Sequence, residues 1–207
     1  MEKHFMVDIE ATGIDPAKED LLQIGILEVD LQQGYWVPGR KAVWWQHTDR
    51  KPESQFAKEH MAAIYEACNK VHWVDPKDMR QSINDFFTQC GAGGPDTYLM
   101  GWNASNFDVP FLIHKGVIKP SDYETIDGKD FRVGDFHYRI YELGGAVSLA
   151  QNALSLTDRS LLCDKARDAG AVVGGFEMPE GKAHDALYDC YSQLRLLNGL
   201  IFLMRNA

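Results

Sequence analysis

Apolar and polar residues alternate at the start of the chain, with Phe5, Val7 and Ile9 interleaved with Met6, Asp8 and Glu10. A period of two predicts a strand, and side chains two apart in a strand share a face, so Asp8 and Glu10 stand side by side. Two carboxylates that close raise each other's proton affinity unless a cation lies between them. For so short a pair taken alone, an acidic strand facing water is the more economical explanation. The segment TGIDPAKED then reads as a turn and LLQIGILEVDL as a second, buried strand, the two strands forming a hairpin. QQGYWVPGR reads as a further turn before a third strand at KAVWWQH, with Trp44 and Trp45 on opposite faces.

Helical spacing follows at Phe56, Met61, Ile64 and Tyr65, and again at Met79, Ile83, Phe86 and Phe87. CGAGGPD breaks the chain, TYLMGW restarts it as a strand, and a helix carrying Pro110 in its first turn ends at Gly116. Between 117 and 175 the pattern predicts helices at DFHYRIYEL and RSLLCDKARDAG. A long amphipathic helix closes the chain, marked by Leu187, Leu194, Leu197, Ile201 and Leu203. With no internal repeat or linker, one α/β domain over 1–207 is the economical reading.

Composition narrows the classes. At 207 residues, 45% hydrophobic, the chain can bury a core, and a net charge of −9 argues against a basic, duplex-coating protein. Nucleic acid is not excluded, since divalent cations can neutralise a carboxylate cluster and bring phosphate to it. Cys68, Cys90, Cys163 and Cys190 form no C-x-x-C pair, which fits reduced thiols and a cytoplasmic protein better than a disulfide framework or structural zinc. No signal-peptide pattern or membrane-length apolar run occurs, so no membrane partner is expected.

Further acids stand at telling places. Asp108 lies between a predicted strand and helix, where a helix cap is the alternative to a functional role. Asp189 lies on the last helix, five residues after His184, which alone reads as an ordinary surface histidine. Asp185 reads as a helix cap, while Asp135 and Glu142 carry no local sign of function.

The order of these motifs is more specific than any one of them. DIEATG, NFDVPFL and AHDALYD resemble the three motifs of the DEDDh family of 3′-to-5′ exonucleases, and the resemblance runs from Asp8 to Asp189. Asn103 lies five residues before Asp108 where four is commoner in the family, a spacing similar to that of bacterial exonuclease I and of a phage-type and mycobacterial-type subgroup. The resemblance implies an α/β fold with a ribonuclease H-like mixed β-sheet flanked by helices. It implies a metal-dependent exonuclease that releases nucleoside 5′-monophosphates from the 3′ end of single-stranded DNA or RNA. Two divalent cations, Mg2+ or Mn2+, would be held by Asp8, Glu10, Asp108 and Asp189, with His184 as general base. Thr12, Gly13, Asn103 and Phe107 would contact the substrate, and Trp102 and Phe111 are further candidates for base stacking, with core packing the alternative for the two phenylalanines. The choice of DNA or RNA and the oligomeric state, a homodimer among the options, stay open. A catalytically silent exonuclease-like scaffold is the alternative function.

Overall fold

The structure is a computed structural model that describes residues 2–71, 73–120, 122–126, 129–137 and 139–207. A five-stranded mixed sheet is built from β1 (Lys3–Ala11), β2 (Leu21–Gln32), β3 (Tyr35–Trp45), β4 (Thr97–Gly101) and β7 (Ile140–Glu142), in the order β3-β2-β1-β4-β7. The first three strands form an antiparallel meander, and β4 and β7 are added parallel. Between them lie α1 (Ala62–Cys68), α2 (Pro76–Gln89), α3 (Asp108–His114) and a separate hairpin of β5 (Asp122–Ile126) and β6 (Lys129–Val133). The chain closes with α4 (Leu143–Ala153), α5 (Arg159–Val173) and α6 (Ala186–Arg205).

Alternation along β1 divides the core into two layers. Phe5, Val7, Ile9 and Ala11 pack with Met79, Ile83 and Phe87 of α2 and Phe111 of α3, while Met6 packs on the other face with Leu194 of α6. Asp8 and Glu10 share the Met6 parity, so they look toward the start of α6. Gly25 sets how near that helix comes. A β carbon at Gly25 would lie 2.5 Å from the Ala186 backbone, so only glycine lets α6 begin directly on β2. Beside it on the same face, Gln23 accepts the Ala186 N–H at 2.8 Å and donates to Asp185 at 3.3 Å.

Several expectations are corrected. QQGYWVPGR is mostly strand, because the turn is confined to Gln33 and Gly34, both in the left-handed region. Pro38 is tolerated because β3 is an edge strand with a register shift opposite it. Among the described residues of DFHYRIYEL only the last, Leu143, is helical: Ile140–Glu142 pairs in parallel with Leu99–Gly101 and α4 begins after it. Phe56 precedes a short π-helical turn, Ala57–Met61, and is exposed, whereas Met61, Ile64 and Tyr65 are buried as the spacing predicts. Trp44 and Trp45 do occupy opposite faces, packing in different clusters. All four cysteines are buried and unpaired. Among the described residues no helix is long and apolar enough to cross a membrane.

Candidate active site

Three elements deliver the acids to one end of the sheet. Asp8 and Glu10 come from the C-terminal half of β1, Asp108 from the start of α3 just past β4, and Asp189 from the first turn of α6. All four line a cleft of about 450 Å³ with His184, Asn103, Phe107 and Trp102.

Asp108 does not cap its helix. Its Oδ1 accepts the Ile9 N–H at 2.9 Å, tying α3 to β1 between the two β1 acids. Asp185 is the cap of α6, accepting the Tyr188 N–H at 3.2 Å, which leaves Asp189 free to face the cleft. Asp189 accepts the His184 N–H at 2.9 Å, and His184 sits in the left-handed region at φ 67°. A non-glycine residue held there costs on the order of 1–3 kcal/mol. The return is position: a ring nitrogen of His184 and one oxygen each of Glu10 and Asp189 lie within 4.8 Å of one another. The outer side of the imidazole meets the Phe56 ring edge-on at 5.1 Å and the His60 ring at 5.5 Å.

Glu10 and Asp108 are buried and Asp8 and Asp189 half-buried, with no described lysine or arginine in ion-pair contact. Glu10 is 7% exposed and Asp108 4%, and among the described residues none of the four carboxylates pairs with lysine or arginine. Desolvation, with repulsion from Asp189, Asp108 and Asp185, pushes Glu10 up to about 8. Burial raises Asp108 to about 7 against the stabilising Ile9 N–H, with Glu142 adding repulsion. Asp8 is driven well above the carboxylate range by burial and then by Asp108, Glu10 and Asp189, although Gln193 donates to it at 2.8 Å. Burial also raises Asp189, opposed by the His184 N–H and imidazole and, less strongly, by the Arg167 guanidinium. Such a cluster is a strong demand for positive charge, and oxygen donors of this kind suit hard divalent cations.

The expected substrate residues flank the acids. Thr12 and Gly13 line a second, more apolar cavity with Ile14, Phe56, Met61 and Phe107. The Thr12 hydroxyl is engaged in its own turn, donating to Glu19 at 2.7 Å and accepting the Asp20 N–H at 2.8 Å. Asn103 is on the cleft wall, and Phe107 lines both cavities while Phe111 is core.

Glu142 and Arg159 in the cleft, and Gln193 beside it, escaped the sequence reading. Glu142 lines the cleft and accepts the Ser105 N–H at 3.1 Å. Gln193 bridges Asp8 and the Trp102 N–H, and its position one helical turn after Asp189 was the available signal. Asp135 lies outside the cleft. It is buried, and receives Arg80 through two hydrogen bonds at 2.9 and 3.0 Å.

Comparison with known proteins bears on this arrangement through structure. No protein-family model and no curated protein sequence matches the chain. Among solved structures, a zinc-bound Escherichia coli exonuclease I complex with single-stranded DNA aligns over 99% of this chain with a TM-score of 0.60 at 16% identity. Exonuclease I from Methylocaldum szegediense aligns over 100% at a TM-score of 0.59 and 17% identity. The chain has the ribonuclease H-like fold of these neighbours. It spans 41% and 43% of the length of those two proteins.

Proposed function

We propose that the chain is a metal-dependent 3′-to-5′ exonuclease domain acting on single-stranded nucleic acid. The observation that carries this reading is the convergence of four carboxylates, none ion-paired to lysine or arginine among the described residues, and one histidine on a single cleft, at the end of an exonuclease fold. Two of the Escherichia coli exonuclease I structures are complexes with single-stranded DNA and with a dT13 oligonucleotide, and that substrate class is the one proposed here.

The donor set fits divalent cations, with Asp8, Glu10, Asp108 and Asp189 as their holders. When bound, such ions supply an activated water and neutralise charge on the leaving oxygen. The chain's own residues do the rest. His184 takes the proton from the attacking water at a ring nitrogen, since neutral imidazole is a suitable base near pH 7. The apolar cavity beside Thr12, Gly13 and Phe107 seats the terminal nucleoside, and Asn103 steadies it from the cleft wall. The Asp189 carboxylate on its N–H and the Phe56 and His60 rings against its imidazole hold His184 in its strained conformation before substrate arrives.

A second role for His184 rests on its closeness to Glu10 and Asp189. One imidazole and two carboxylates also suit zinc, which would occupy the base, so zinc should slow magnesium-supported turnover.

Digestion of 5′-labelled and 3′-labelled DNA and RNA oligomers with Mg2+ or Mn2+ tests the proposal. It predicts 5′-labelled products that shorten stepwise, nucleoside 5′-monophosphate release, and resistance of a 3′-phosphorylated end. Binding of the oligomers with no cleavage under any metal would favour the silent scaffold.

A further inference from the structure

The cleft does not stop at the acids. Past Asp8 and Asp189 a smaller cavity of about 240 Å³ opens, lined also by Trp102, Arg167, Ser192 and Gln193. Trp102, Asp8 and Asp189 line both cavities, so the indole stands where one leads into the other. The cations lining this continuous groove are Arg159 in the first cavity and Arg167 in the second.

Both arginines project from α5, eight residues and therefore about 12 Å apart along the helix axis. Gly170 and Gly199 hold α5 tightly to α6, since a β carbon at either would overlap the backbone of the opposite helix. The two guanidinium groups are thus on a rigid support beside Asp189. Neither is used up in holding the fold. Arg159 lies over the Trp102 ring at 5.1 Å and reaches the Gly144 carbonyl only at 3.4 Å, while Arg167 reaches Asp164 at 3.5 Å on the surface.

A polyanion approaching a chain of net charge −9 needs such groups. Guanidinium forks match phosphate oxygens, and an indole offers a sequence-tolerant stacking face for a base. The apolar cavity on the Thr12 side has no cationic side chain among the described residues of its lining, which suits a nucleoside, whereas the groove past Trp102 carries two guanidinium groups, which suit a phosphate backbone. The geometry points to Trp102, Arg159 and Arg167 as the track for the nucleotides 5′ of the scissile phosphate, a reading that rests on the exonuclease proposal above. Trp102 stacks a base, and the two arginines hold successive parts of the backbone. Substrate length, rather than base identity, is then what this surface selects.

Two probes separate the track from the chemistry. Thymidine 5′-(p-nitrophenyl phosphate) carries a scissile ester and no upstream nucleotide, whereas an oligothymidylate 12-mer reaches both arginines. In Arg159→Gln/Arg167→Gln the ratio of kcat/KM on the 12-mer to that on the ester should fall at least ~10-fold, through KM on the 12-mer. The dependence of log KM on log salt should lose ~1.4 of its slope, about 0.7 for each phosphate contact removed. Arg159→Lys/Arg167→Lys should keep that slope, and Trp102→Phe should weaken the 12-mer less than Trp102→Ala. Anisotropy of a labelled phosphorothioate 12-mer reads the same contrast without turnover. A wild-type ratio, affinity and salt slope in a glutamine double variant of wild-type melting temperature would overturn the track. Failure of the wild-type protein to hydrolyse either probe would count against the exonuclease reading alone, with the anisotropy still deciding the track.

Discussion

Asp135 and two of the cleft acids, Glu10 and Asp108, are equally buried and differently served. Asp135 is 8% exposed, beside 7% for Glu10 and 4% for Asp108. Around Asp135 the chain supplies a bidentate Arg80, the Asn84 amide at 3.3 Å and the Lys119 N–H at 2.7 Å. Around the cleft acids it supplies backbone and amide donors, one to Asp8, one to Asp108 and one to Asp189, and no cationic side chain in contact. Burying a carboxylate costs several kcal/mol unless it is paired. The chain meets that cost internally at Asp135, which ties α2 to the segment after the β5–β6 hairpin. In the cleft it leaves the cost to be met by a partner from outside, which is the physical signature of a binding site rather than a structural one.

Substitutions on each side should therefore separate stability from activity. Asp8→Asn is expected to cost more than ~10⁴-fold in turnover, since on the proposed function it removes a holder of the cations that stabilise the transition state. The same change should raise the melting temperature of the metal-free protein, because it relieves repulsion from Asp108, Glu10 and Asp189. Single-turnover rates and thermal melts in chelator check both. His184→Ala should lose about 10²–10⁴-fold in the chemical step, partly recovered at higher pH, with manganese binding retained. Arg80→Ala should behave oppositely to Asp8→Asn: about 1–3 kcal/mol of stability lost in denaturant melts, and turnover per folded molecule unchanged.

These contrasts also mark what could be read along the chain. The β1 acids were legible because period two placed them on one face, and Asp185 and Asp189 because a cap and a first turn are local features. The buried partner of Asp135 was not legible, because Arg80 lies 55 residues away and is brought to it by tertiary packing. Glu142 was hidden for a related reason. Its segment has aromatic and aliphatic residues at spacings that suit a helix, but the parallel ladder to β4 overrides that local preference over three residues. The hairpin at 122–133 carried no pattern strong enough to predict, while Gly25, an unexplained glycine inside a buried strand, was the visible trace of the close approach of α6.

A smaller effect sharpens the comparison through pH. Glu10 rises from 4.5 to about 8 on folding and Asp108 from 3.8 to about 7, so the folded cleft binds protons more tightly than the unfolded chain. Stability from these groups is fully present below about pH 4 and is lost as pH rises through about 7 to 8. In chelator, the melting temperature should fall across that window, and Mg2+ or Mn2+ should restore it at the upper end. Glu10→Gln should flatten the dependence.

Calorimetric titration of Mn2+ at pH 7, in two buffers of different ionisation enthalpy, tests the cleft's demand for cations most directly. The account predicts binding to the wild-type protein coupled to net proton release, as the raised carboxyls give up protons to the incoming charge, and greatly weakened binding to Asp8→Asn. No binding to the wild-type protein, or binding with no proton release that Asp8→Asn leaves undiminished, would contradict it.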